Sequence, residues 1–163
     1  MNAGARVARG DVLLFLHADV SLPRGAPRRV HDALAASDVV GGAFRTWHVD
    51  DSPARRRAVW LHLADLRSRY SRLPYGDQAL FVRRDVFERL GGFAPVPLFE
   101  DLEFSRRLRR AGRLRRIGVP VEVSGRRFMA RPAYYALVMN VLPVLYRLGV
   151  RPATLERMYG HVR

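Results

Sequence analysis

Four short segments carry the side chains best suited to chemistry. Asp19 stands just beyond the apolar run Val12-Leu13-Leu14-Phe15-Leu16, with His17 two residues before it. In open α/β sheets, ligands collect at the carboxyl ends of strands. A carboxylate there can hold Mg²⁺ or Mn²⁺, and the cation can bridge the phosphate oxygens of a nucleotide. His17 could add a nitrogen ligand or orient the site. Phe99-Glu100-Asp101-Leu102-Glu103 begins a helix, and one of its carboxylates could take a proton from an attacking hydroxyl. Tyr75-Gly76-Asp77-Gln78 precedes a strand, and Arg126-Arg127-Phe128 offers guanidiniums whose fork geometry suits a diphosphate. Taken singly, each has a plainer role. Asp19 can cap a turn, carboxylates are favoured at helix N-termini, and Gly-Asp is common turn chemistry.

The elements that must position these residues follow from punctuation and periodicity. A helix over 3–9 stops at Gly10, and the unbroken apolar run 12–16 predicts a strand buried on both faces. A short helix is expected over 27–36, then a strand over 39–44 in which Gly41-Gly42 signals close backbone approach. Ser52-Pro53 is a good start for a longer helix reaching about residue 70. A strand over 80–82 follows, then a short helix from Asp85 that ends at Gly91-Gly92. The arginine-rich helix 101–111 is closed by Gly112, and 119–123 reads as the last strand. The C-terminal third is helical and apolar, interrupted at Pro143 and Gly149. Strands alternating with helices predict an α/β fold with a mostly parallel sheet, in one domain.

Composition narrows the partners. At 163 residues and 48% hydrophobic, the chain is one ordinary globular domain with enough residues for a real core. With no cysteine, disulfides, cysteine–zinc sites and thiol catalysis are excluded. The net charge of +14 comes from 29 basic residues, every one arginine, against 15 acidic ones. Such a surface attracts phosphates, anionic lipids and nucleic acid. The arginine pairs are scattered, however, and no nucleic-acid motif accompanies them, so no nucleic-acid partner is expected. The longest apolar stretch, 134–146, contains Asn140 and Pro143 and falls short of the ~20 residues a spanning helix needs. The expectation is a soluble or peripheral cytoplasmic protein. Residues 131–163 read either as a helix covering the sheet, which is favoured, or as a peripheral helix at the inner face of a membrane near a lipid-linked acceptor.

Taken together and in order, these segments resemble inverting family 2 glycosyltransferases of the GT-A fold. The matching stretches are Asn2-Ala3-Gly4, Ala8-Arg9-Gly10-Asp11 running through Leu16-His17-Ala18-Asp19, Tyr75-Gly76-Asp77-Gln78-Ala79-Leu80-Phe81-Val82, Phe87-Glu88-Arg89-Leu90-Gly91-Gly92-Phe93 and Glu100-Asp101-Leu102-Glu103-Phe104. The Leu-His-Ala-Asp and Gly-Asp-Gln versions look most like the branch called radical-SAM/selenodomain-associated transferases. The resemblance implies an incomplete Rossmann-like GT-A sheet, mostly parallel and flanked by helices. Residues 1–130 would form the C-terminal part of that domain, with 131–163 as a helical extension packed on it.

By the same resemblance, Asp19 matches the last carboxylate of an Asp-x-Asp motif that binds a divalent cation (Mn²⁺ or Mg²⁺) and the nucleotide-sugar diphosphate. His17 stands where many relatives have aspartate, although histidine is common in this branch. Asp101 matches the catalytic base, with Glu100 beside it. Gly76, Asp77 and Gln78 match a loop near donor sugar and acceptor. Arg127-Phe128 is similar to an Arg-Trp pair of some relatives, which assigns Arg127 to the donor. The implied reaction moves a sugar from a nucleotide-sugar donor to an acceptor hydroxyl with inversion. Relatives usually begin with a strand, a Pro-x-x-Asn-Glu-like loop and a Val-Asp-x-Gly-Ser-like segment, none of which is in this sequence. Roughly 60–90 preceding residues are therefore expected to be missing, and the chain as given is expected to bind donor poorly. The competing functions are a noncatalytic remnant and an arginine-rich protein that binds anions or nucleic acid.

Overall fold

The computed structural model describes residues 1–49, 65 and 73–159, with the backbone alone for Arg127, Ala133 and Ala136. Apart from Asp65, the helix expected over 52–70 lies outside the described residues. Helix α1 (Asn2–Val7) leads into β1 (Val12–Leu14), β2 (Val20–Ser21), α2 (Ala26–Ala33) and the long β3 (Val39–Val49). A 3₁₀ turn (Gly76–Gln78) precedes β4 (Phe81–Arg83), α3 (Arg84–Arg89), α4 (Glu100–Ala111) and β5 (Arg113–Ser124). Helices α5 (Arg126–Ala130), α6 (Pro132–Arg147) and α7 (Pro152–Tyr159) complete the described chain.

The sheet corrects the expected parallel, Rossmann-like GT-A architecture. Its order is β1-β4-β3-β5-β2, and the β1/β4, β4/β3 and β5/β2 pairings are all antiparallel. Only β3 and β5 run parallel, so the fold is mixed α/β around a curled, mostly antiparallel sheet. The run 80–82 is buried on both faces, whereas 12–16, expected to be so, alternates, with Leu13 and Phe15 buried and Val12 and Leu16 exposed; neither run sets strand direction. Leu80 and Val82 pack with Leu13, Phe15, Phe87, Phe93, Phe104 and Leu108 on one side. Phe81 points the other way, into Val30, Leu34, Phe44, Ile117 and Val121. Each of the buried phenylalanines contributes roughly 1.5–3 kcal/mol of apolar burial.

Local deviations also have physical causes. β1 stops at Leu14, and Val12 is exposed because β1 lies at the edge of the described sheet. The expected close approach at Gly41-Gly42 is present: a Cβ on Gly42 would lie 1.9 Å from the Arg115 carbonyl oxygen. The β3/β5 register shifts between Phe44 and Arg45, opposite the step from Ile117 to Pro120. Pro143 does not interrupt α6, contrary to expectation. The helix runs through it, and the turn comes at Gly149, which is left-handed at φ +92°. One lost N–H bond is tolerated because Val138 and Leu142 pack against Leu155, Leu98 and Phe99.

Candidate functional site

The turn after β1 carries His17 and Asp19 over one end of the sheet. Val20 N–H donates to the His17 carbonyl at 3.1 Å, closing the turn. Ser124 N–H donates to the Asp19 carbonyl at 2.9 Å, and Gly125 N–H to the Val49 carbonyl at 2.7 Å. These bonds gather the turn and the C-terminal ends of the two parallel strands at one place.

From the other side, α4 delivers Glu100 and Asp101. Its N-cap, Phe99, is held left-handed at φ +65°. Asp101 bridges two segments: Oδ1 accepts Leu102 N–H at 2.6 Å and Oδ2 accepts Gly76 N–H at 2.5 Å. One turn further along, the buried Ser105 hydroxyl donates to the Pro74 carbonyl at 2.8 Å. The 74–78 segment is thereby fastened to the start of α4. A Cβ on Gly76 would sit 2.5 Å from His17 Nε2 and 3.1 Å from Asp101 Oδ2. Glycine is what lets the imidazole and the carboxylate approach each other there.

His17, Asp19, Asp77, Glu100 and Asp101 all line one cavity of about 300 Å³. Four of the fifteen acidic residues of a strongly basic chain thus converge on one hollow, which solvation alone does not require. A second, adjoining hollow shares His17, Asp19 and Ser124 and adds Arg126. No family model, curated protein or solved structure matches this chain. The chemistry must therefore be read from the residues themselves.

Burial dominates the ionisation of the two helix carboxylates. Asp101 is held above the usual aspartate range by desolvation, against the opposing hydrogen bonds from Gly76 and Leu102; the Asp77 charge adds to the rise and His17 reduces it. Glu100 is raised for the same leading reason, opposed by a backbone hydrogen bond and increased by the Asp101 charge. Each Asp101 oxygen uses one lone pair on a backbone N–H, leaving capacity to accept a further proton. A carboxyl group with a raised pKa in a cleft is better matched to proton transfer near neutrality.

The remaining predicted residues divide. Gly76 contributes its N–H rather than a cavity wall. Gln78 turns away: its Oε1 accepts Tyr75 N–H at 3.4 Å, and its side chain lies in a separate hollow with Pro74, Arg109 and Arg115. The Arg127 side chain lies outside the described residues. Among the described residues, no group of three or more His, Asp or Glu side chains forms a metal cage. Asp19 and His17 both line the cavity, so a divalent cation there would have these two donors and would need its other ligands from phosphate oxygens and water.

Two features escaped the sequence reading. His48, on β3, also lines the cavity, and its Nδ1 lies 2.6 Å from Asp65 Oδ1. Asp65 further accepts the His48 backbone N–H at 3.2 Å and the Thr46 hydroxyl at 3.0 Å. Burial opposes ionisation of Asp65, but the hydrogen bond and charge of His48, with the Thr46 bond, outweigh it and hold its pKa below the usual range. The ionised carboxylate fixes the proton on Nδ1 and leaves Nε2 for the cavity. The second feature is an apolar wall, in which Leu98, Phe99, Phe128, Val138, Met139 and Leu142 close the far side of the cavity.

Proposed function

We propose that this chain carries the transfer site of an inverting glycosyltransferase that uses a nucleotide-diphosphate sugar. The observation that carries this reading is the shared cavity of Asp19 and Asp101, residues from distant parts of the sequence. Asp101 accepts the proton of the acceptor hydroxyl. The hydroxyl oxygen then bonds to the anomeric carbon as the bond from that carbon to the diphosphate oxygen breaks on the opposite face. The bonding electrons leave with the nucleoside diphosphate, and a single displacement of this kind inverts the carbon without an enzyme nucleophile. Asp19 and His17 would hold a divalent cation, which when bound offsets charge on the leaving diphosphate. Arg126, in the adjoining hollow, can add charge-assisted hydrogen bonds to the same phosphates. The apolar wall suits an acceptor whose hydroxyl is carried on a nonpolar body.

Transfer and donor hydrolysis, measured with Mn²⁺ across a panel of sugar nucleotides, test the proposal. Asp101→Asn should lower kcat by about 10²–10⁴-fold, whereas Asp19→Asn should weaken donor and metal binding. Wild-type turnover in both variants would refute the site. Absence of turnover in the wild-type chain with every donor would refute the function for this chain.

A further inference from the structure

Helix α6 is apolar on two adjoining faces, about a third of a turn apart. One face is buried: Val138 and Leu142 pack against Leu155. The other is open, with Leu137 61%, Val141 39% and Val144 50% exposed, followed by Leu148 at 76% just past the helix end. These four residues follow one another in steps of four, three and four, so they form one narrow stripe. A surface helix normally places polar residues there, and a contiguous apolar stripe marks a contact surface. Met158 of α7 adds a further apolar side chain that is 53% exposed.

The charge around the stripe identifies its partner. Arg131, Arg147, Arg151 and Arg157 are all exposed, and Glu156 is the one acidic residue across 131–159. None of these four arginines forms an ion pair among the described residues. Among the described residues, no helix is long and apolar enough to cross a membrane. Exposed apolar side chains, with exposed arginines near them in sequence that form no ion pair among the described residues, fit a helix that lies in the headgroup region of an anionic bilayer. We infer that the outer face of α6, with Arg131, Arg147, Arg151 and Arg157, docks on an anionic lipid surface. The inference stands on this face alone and is independent of the transfer reading.

The chain has no cysteine, so Leu137→Cys would carry a single environment-sensitive fluorophore. On vesicles of phosphatidylcholine with phosphatidylglycerol, the label should shift to the blue and the protein should sediment with the lipid. On pure phosphatidylcholine, binding should be at least about tenfold weaker. Leu137→Gln/Val141→Gln/Val144→Gln/Leu148→Gln changes only exposed positions. With its circular dichroism unchanged, it should lose at least about tenfold in vesicle partitioning. Three results would overturn the inference: no binding to anionic vesicles, equal binding by the fourfold variant, or a stripe-dependent dimer in place of vesicle binding.

Discussion

Asp101 meets two opposing demands. Two backbone N–H groups favour its charged form, while burial and the nearby Asp77 charge favour the neutral one, and the second pair prevails. Under the proposed transfer Asp101 works as a proton acceptor only above its raised pKa, so the acid limb of kcat/KM should lie above the ordinary aspartate range near 4. Asp77→Asn removes one of the charges responsible, and the limb should move to lower pH. A pH–rate profile that stays in place would assign the rise to burial alone. The linkage to folding has the same origin. Because the folded-state pKa is raised, the stability Asp101 contributes is complete below its unfolded pKa and is lost as pH rises through the folded one. Asp65 behaves in the opposite sense. Its lowered pKa gives stability that is present above the unfolded value and lost as pH falls through the folded one. Asp65→Asn keeps the size but loses the charge that holds His48, and it should cost about 2–3 kcal/mol in urea denaturation at neutral pH. His48→Gln leaves the buried Asp65 carboxylate without its charge partner, so urea denaturation at neutral pH should show a loss of similar size.

At the level of elements, strand contacts leave little tolerance. Gly42→Ala would drive a Cβ into the Arg115 carbonyl across the β3/β5 pair, at a cost of about 3 kcal/mol or more. A loss below 1 kcal/mol in urea unfolding would mean the two strands can separate locally. This glycine pair was legible in the sequence, as were the stops at Gly91-Gly92 and Gly112. Strand direction was not, because alternation of strands and helices says nothing about which strands become neighbours. β5 was read as 119–123, yet it begins at Arg113, because Arg113, Arg115 and Arg116 are exposed and break the apolar pattern that announces a strand. Within the site, Asp19 and the Glu100-Asp101 pair were legible because each stands at the boundary of an element. His48 was not, since the strand expected over 39–44 in fact runs to Val49, and the histidine's partner Asp65 is distant in sequence.

At the scale of the whole molecule, part of the positive charge is committed to structure. Arg107 donates to the Leu90 and Gly92 carbonyls and pairs with Glu103, Arg83 donates to the Leu34 and Val39 carbonyls, and Arg113 pairs with Asp38. Those guanidiniums brace loops to helices and strands, whereas the arginines near α6 and the Arg126 hollow remain outward. The cavity reflects a similar division of labour. The sheet end and α4 supply its carboxylates, while α5 and α6 supply Phe128, Val138, Met139 and Leu142. An acceptor that fills this space would, under the proposed transfer, place its hydroxyl at Asp101 and its carbon chain against the helices. Under the proposed transfer, lengthening the alkyl chain of an acceptor alcohol should lower KM by up to about fourfold per methylene, from the ~0.8 kcal/mol gained per buried CH₂. The gain should level off once the cavity of about 300 Å³ is filled. Leu142→Ala should flatten the series with little change in kcat for the shortest alcohol, because the lost contacts lie away from the reacting atoms. A KM independent of chain length would mean that the apolar wall serves packing and that the acceptor enters from the side of Arg126.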